Sequence, residues 1–271
     1  MKHGKAALTD PYADLARELK DREKPQRQPL SIMFVVFMLL LTSLCVGLGF
    51  WQLQRLEQKQ TLIAAVADRA SLKPIELPPV AEWQSLEPAV YDFRPVTLTG
   101  KFDHQNVISV FTALYDARGD MEGPGFWIMT PFKLDSGGTI IVNRGFVPQS
   151  SKDLFASTSQ GIEGIAQSTT ITGIARKSEQ VGPFTPGPDI SNRVEYVRSI
   201  DRLSAMMGID HTLLPQIYVD QVAGEKGVLP QGGETKMTFP NRHLGYAITW
   251  FGLAAVAAIM TLYWLWRQRR A

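Results

Sequence analysis

The chain has 271 residues, 45% of them hydrophobic and 20% charged, with a formal net charge of +2. A balance so close to neutral leaves no electrostatic footprint for nucleic acid, so none is expected as a partner. Cys45 is the only cysteine, which excludes an intrachain disulfide, CxxC redox chemistry and thiolate delivery of a metal.

The mean hydropathy of −0.06 averages over two very different kinds of segment. Residues 1–29 are polar and basic, with Lys2, Lys5, Arg17, Lys20, Arg22, Lys24 and Arg27. Leu30 to Trp51 then runs for 22 residues without a charge. As a helix it would be about 33 Å long, enough for a hydrocarbon core of about 30 Å. The run is too long for the apolar part of a secretory signal, so a permanent anchor is expected. Asp10, Asp14, Glu18, Asp21 and Glu23 argue against a mitochondrial presequence, which is poor in acids, and favour a bacterial inner membrane.

Past the first span, Leu53, Leu56, Gln60, Ile63 and Ala67 recur at helical spacing. The helix is predicted to continue until the prolines at 74, 78 and 79. Strand patterns follow at 93–102, 107–114, 126–134, 139–147, 169–175, 194–197 and 216–222. Asp135-Ser136-Gly137-Gly138 has turn composition and predicts a hairpin between the third and fourth. Asp201 to Met207 predicts a short helix with Ser199 as its N-cap. The stretch 182–188, GPFTPGP, is a loop. After Arg144 in 142–148, VNRGFVP, Gly145 suits a bulge or a tight turn, with the arginine either bridging loops or meeting a partner.

Leu244 to Trp266 is a second uncharged run, of 23 residues, followed by Arg267, Arg269 and Arg270. Near the inner ends of the two spans stand only Arg55, Lys59, Lys236 and Arg242. The positive-inside bias therefore predicts that both termini are cytoplasmic. The expected architecture is a membrane protein of the α+β class. Two transmembrane helices (30–51 and 243–266) flank one mainly antiparallel-β periplasmic domain (52–242) with one or two short helices. A cytoplasmic segment (1–29) precedes them and a basic tail (267–271) follows.

No G-x-S-x-G, H-E-x-x-H, Walker or dinucleotide-binding motif is present, so enzymatic function is not expected. The four histidines, His3, His104, His211 and His243, are too scattered in sequence for a local metal motif. The informative stretch is 240–251, PNRHLGYAITWF. Helical spacing sets His243, Tyr246, Ala247 and Trp250 on one face. An imidazole, two aromatic surfaces and a small residue suit a flat apolar cofactor with His243 as axial iron ligand. Arg242, at the water boundary, would pair with a carboxylate. The same residues also read as interface anchors and a helix cap.

Several motifs in order resemble the Surfeit locus protein 1 family of cytochrome c oxidase assembly factors. They are 49–55, GFWQLQR; 94–96, RPV, with 100–102, GKF; 125–126, GF, with 130–132, TPF; 142–148, VNRGFVP; and the stretch from Asn241 to Phe251. Phe146 and Tyr196 depart from the family pattern, which favours tryptophan there. The resemblance implies a chaperone that takes haem a from its synthase and aids its insertion into subunit I of the oxidase. It implies His243 as haem ligand and Trp250 at the haem's border. The alternative is a haem-free scaffold that stabilises subunit I, with His243 a capping residue. In either case, the lipid bilayer, subunit I and haem a synthase are the expected partners.

Overall fold

The computed structural model describes residues 32–155, 168–211, 214–237 and 239–270. The N-terminal segment 1–29, the first two positions of the expected first span and Ala271 lie outside the described residues. In chain order the elements are α1 (Ile32–Ser71), β1 (Ile75–Glu76), α2 (Pro88–Tyr91), β2 (Pro95–Phe102), β3 (Ile108–Leu114), β4 (Gly123–Leu134) and β5 (Thr139–Pro148). Then come β6 (Thr169–Lys177), β7 (Val194–Glu195), α3 (Ile200–Met207), β8 (Ile217–Gln221) and α4 (His243–Arg270). They divide into two compact units. One unit contains the chain up to Thr61 together with Pro240 onward; the other is Leu62–Phe239.

In the first unit, α1 and α4 are each long and apolar enough to cross a membrane, and only 17% of the apolar window of each is buried. The core helix of a soluble protein would be mostly covered, so these helices suggest a membrane protein. The exposed side chains are large and apolar, among them Met33, Phe37 and Leu40 on α1 and Ile248, Ile259 and Leu262 on α4. The 40 residues of α1 span about 60 Å, and the helix stops before Lys73-Pro74, where proline would remove a backbone donor.

The covered side of α1 is rotated from the expected one. Gln52, Leu56, Lys59, Ile63, Val66 and Ala70 are sheltered, whereas Leu53, Gln60 and Ala67 are exposed. Steps of four and three residues keep a helix face in line, and the apolar residues of this segment leave two such lines open. Tertiary packing selected the line that includes Gln52.

In the second unit, β2, β6, β8, β5 and β4 pair in that order, and β2 pairs again with β4. The five strands therefore close into a small barrel. Most of its ladders are antiparallel, as expected, but the β5–β8 join is parallel. Closure depends on Gly100, which faces both Thr169 of β6 and Leu134 of β4. A Cβ there would meet the Lys133 carbonyl oxygen, so only glycine lets the two backbones approach so closely.

Alternate residues of the five strands fill the barrel: Val96 and Leu98, Phe132, Ile140 and Val142, Ile171 and Ala175, and Ile217 and Val219. The intervening residues point outward. Ile141, Tyr218 and Met129 meet Ile200, Leu203 and Met207 of α3 there. Val66 of α1 packs with Phe93 and Ile174 on another part of the outer surface. Ser199 occupies the N-cap position of α3, but its hydroxyl makes no capping bond. Instead Ser178 Oγ accepts from the Ile200 N–H at 3.0 Å, a cap brought by the fold rather than by the neighbouring residue.

Candidate functional site

The two apolar helices run antiparallel, and their covered residues meet. Phe34 lies 5.1 Å from Trp264, ring centre to ring centre, and Phe50 lies 5.4 Å from Phe251. The covered line on α4 is His243, Ala247, Trp250, Ala254, Ala257 and Thr261. On α1 it includes Met38, Cys45, Gly49 and Gln52. Alternating steps of three and four are the signature of helices packed at a shallow crossing angle.

At one end of this pair, His243 Nδ1 and Gln52 Oε1 are 2.8 Å apart. An amide oxygen only accepts, so with this amide orientation Nδ1 carries a proton and donates it. Among the described residues Nε2 has no hydrogen-bond partner. Gln52 is 8% exposed, whereas His243 is only half-buried. Polar side chains are sparse on apolar helices and tend to find one another across the helix interface.

The other expected site residues surround this bond unequally. Trp250 is half-buried on the same line as His243, and Ala247 between them is fully covered. Tyr246 lies at the margin of that line, 55% exposed. Arg242 is exposed and has no carboxylate partner among the described residues. Arg55 turns back along its own helix: its guanidinium lies 5.7 Å from the Trp51 ring and donates to Gln58 Oε1 at 3.0 Å. The Trp51-Gln52-Arg55 motif thus offers its middle residue, not its tryptophan or arginine, to His243.

The barrel unit holds a second polar centre, one the sequence did not single out. Asn143 of β5, Asp220 of β8 and Arg176 of β6 are outward-facing neighbours. Asp220 accepts from Asn143 Nδ2 at 2.8 Å and from Thr235 Oγ1 at 2.9 Å. The guanidinium groups of Arg176 and Arg198 flank it at 3.8 and 3.7 Å. Arg198 is also held by Glu179 at 2.6 Å and lies over the Trp127 and Tyr218 rings. A cavity of about 330 Å³ opens beside this group, with Glu234 and Lys236 on its wall.

Titration in this centre follows burial and charge. Burial alone would raise the Glu179 carboxyl, but the Arg198 guanidinium and N–H outweigh it and hold it below 4.5. Burial, reinforced by the Asp220 carboxylate, pushes the Tyr218 phenol up. Next to Asn143, two residues of β5, Arg144 and Gly145, oppose the single residue Ile128 of β4, which makes a β-bulge. Gly145 has φ +135°, and a Cβ on it would meet the Gln231 backbone. The bulge expected of that glycine is therefore present. Among the described residues no hydrogen bond or ion pair from Arg144 bridges loops; its guanidinium lies 5.2 Å from the Phe102 ring, and burial lowers its pKa. His104 nearby is lowered by burial and then by the charge of Arg144.

The only sequence signal for this centre was Asn143 within 142–148. Arg176 and Asp220 sit at the ends of apolar strands, where a charge reads as the strand's exit into solvent. Their proximity follows from barrel closure.

The comparisons agree with the order of these elements. A sequence model described as the SURF1 family matches residues 39–255, a stretch that contains Gln52, the whole barrel, His243 and Trp250. The chain is 31% identical to Surfeit locus protein 1 of Rattus norvegicus over 234 residues, 83% of this chain and 73% of the rat protein. It is 30% identical to the Homo sapiens protein of the same name, over 82% of this chain and 74% of that one. A SURF1-like protein of Monosiga brevicollis is 29% identical, with 83% of each chain covered. With matched residues running from the first apolar helix through the barrel into the second, the chain belongs to the SURF1 family.

Proposed function

We propose that the chain is an assembly factor for cytochrome c oxidase. It carries haem a as cargo and aids its insertion into subunit I. Family membership supports the assembly role. The observation that carries the haem reading is the His243–Gln52 bond, which engages Nδ1 and leaves Nε2 without a partner among the described residues. That is the donor an axial iron ligand requires. Trp250 and Tyr246 would offer ring surfaces to the cargo, and Arg242 would pair with a propionate. The chain performs no reaction on the haem and is not an enzyme.

In this reading the protein is a multi-pass protein of a bacterial inner membrane. Spans 30–51 and 243–266 cross the bilayer, segments 1–29 and 267–271 are cytoplasmic, and 52–242 faces the periplasm. It receives haem a from haem a synthase and delivers it to subunit I.

The haem-free scaffold reading takes the same bond as a staple between two helices and His243 as structural. An absorption spectrum of the full chain, purified from cells that also make haem a, separates the two. A haem a spectrum in wild type and its loss in a folded His243→Ala variant are expected. A haem-free wild type that still restores oxidase in a deletion strain overturns the carrier reading and leaves the scaffold.

A further inference from the structure

The geometry points to Gln52 as the positioning residue for the cargo ligand. We infer that it fixes which nitrogen of His243 meets iron, and that its neutral amide keeps that ligand releasable. The inference rests on the haem reading above and deepens it.

A free imidazole exchanges its proton between two nitrogens and turns about its side-chain bonds. Either freedom would scatter the donor lone pair over several directions. Here Gln52 Oε1, 2.8 Å from Nδ1, removes both: it holds the proton at Nδ1 and pins the ring. The donor left to iron is Nε2. The burial asymmetry separates this arrangement from a plain staple between helices. Gln52 is 8% exposed, so its side chain is largely sheltered from competing water. His243 is half-buried, so part of it stays accessible. A contact made only to join two helices gains by covering both partners.

The chemical identity of the partner matters as much as its position. Histidines that hold resident metals often donate to a carboxylate, which draws the proton and makes the opposite nitrogen a stronger ligand. Gln52 is neutral, so it orients the ring with little gain in basicity. A carrier that must release iron is served by a ligand of moderate strength. Asp and Glu are absent from residues 52–56 and from 240–251, so no neighbouring acid in either segment takes over the carboxylate's part.

The test titrates ferric haem b, as a probe, into the detergent-solubilised full chain. Wild type, Gln52→Leu, Gln52→Glu and His243→Ala are compared, with circular dichroism of each as the folding control. Gln52→Leu should weaken binding about 10–100-fold, the usual cost of removing a partner of a metal-bound histidine. Gln52→Glu should bind at least as tightly as wild type. Its haem should show a lower midpoint potential and slower transfer to apomyoglobin.

Equal loss in Gln52→Leu and Gln52→Glu would overturn the inference, since helix pairing and not orientation would then be the cause. So would a Gln52→Leu variant within twofold of wild type. Both results leave the haem reading intact if His243→Ala alone abolishes binding. Haem binding by His243→Ala as tight as wild type, or no binding by wild type, overturns both together.

Discussion

The polar centres of the helix pair and of the barrel differ in how many partners hold them. In the barrel unit Asp220 is surrounded: an amide, a hydroxyl and two guanidinium groups take up its charge. Every neighbour is supplied by a different stretch of chain, so the group ties β5, β6, β8 and the segment around Thr235 together. In the helix pair a single hydrogen bond joins Gln52 to His243, and the other ring nitrogen has no partner among the described residues. A carboxylate held by several partners from separate stretches of chain fixes one arrangement, whereas a single bond between two helices fixes less. The contrast points to the Asp220 group as a source of barrel stability.

The largest test of that contrast is Phe132→Ala. This side chain is fully buried inside the barrel, and its removal should cost about 3–5 kcal/mol in denaturant unfolding. Asp220→Ala comes next. It removes the carboxylate between Arg176 and Arg198, leaving them only Asp92 and Glu179 as anions, and strips Asn143 and Thr235 of their acceptor; a loss of about 3 kcal/mol is expected. Asp220→Asn should fall between this variant and wild type. A smaller cost at Asp220 than at an exposed residue would show that the network does not fix the barrel.

Two finer tests concern α3 and pH. Ser178→Ala removes the oxygen that accepts from Ile200 and should cost about 1 kcal/mol, whereas Ser199→Ala should cost under about 0.5 kcal/mol. The reverse order would return the cap to Ser199. The folded pKa of Glu179 is depressed below 4.5, so its stabilising contribution is present above that pH. It is lost as pH falls through the folded value. Unfolding midpoints followed below pH 4.5 should therefore decline less steeply in Glu179→Gln than in wild type.

The smallest stability effect is expected at His243, the haem ligand proposed above. His243→Ala should leave the thermal unfolding of the barrel unit unchanged while abolishing haem uptake. A drop comparable to that of Phe132→Ala would break the division between the two regions.

Much of the fold was legible because it is encoded locally. The two apolar helices follow from runs that only a bilayer or a deep core tolerates. The 135–138 hairpin and the bulge at Gly145 follow from residues whose backbone needs are unusual. Ser199 stands at the N-cap position of α3 as expected, but the side-chain bond comes from Ser178, which is far from the helix along the chain. The face of α1 was misread because two apolar lines were equally good by periodicity.

The candidate site divides the same way. His243 and Trp250 were visible as a histidine and an aromatic at helical spacing on one apolar helix. Gln52 was visible only as part of the Trp51-Gln52-Arg55 motif on the other helix; its place at the inner end of the span allows either an interfacial anchor or a wall opposite His243, and does not say which of its residues meets the ring. The sequence by itself determined the two apolar helices, the strand-rich segment between them and the residues that carry the family's motifs. Each of these rests on interactions within a few residues, which periodicity and composition record. The tertiary structure decided barrel closure at Gly100, the Asp220 network and the bond between Gln52 and His243. Each of those joins residues from separate stretches of chain, and no local pattern encodes which distant segments will pack together.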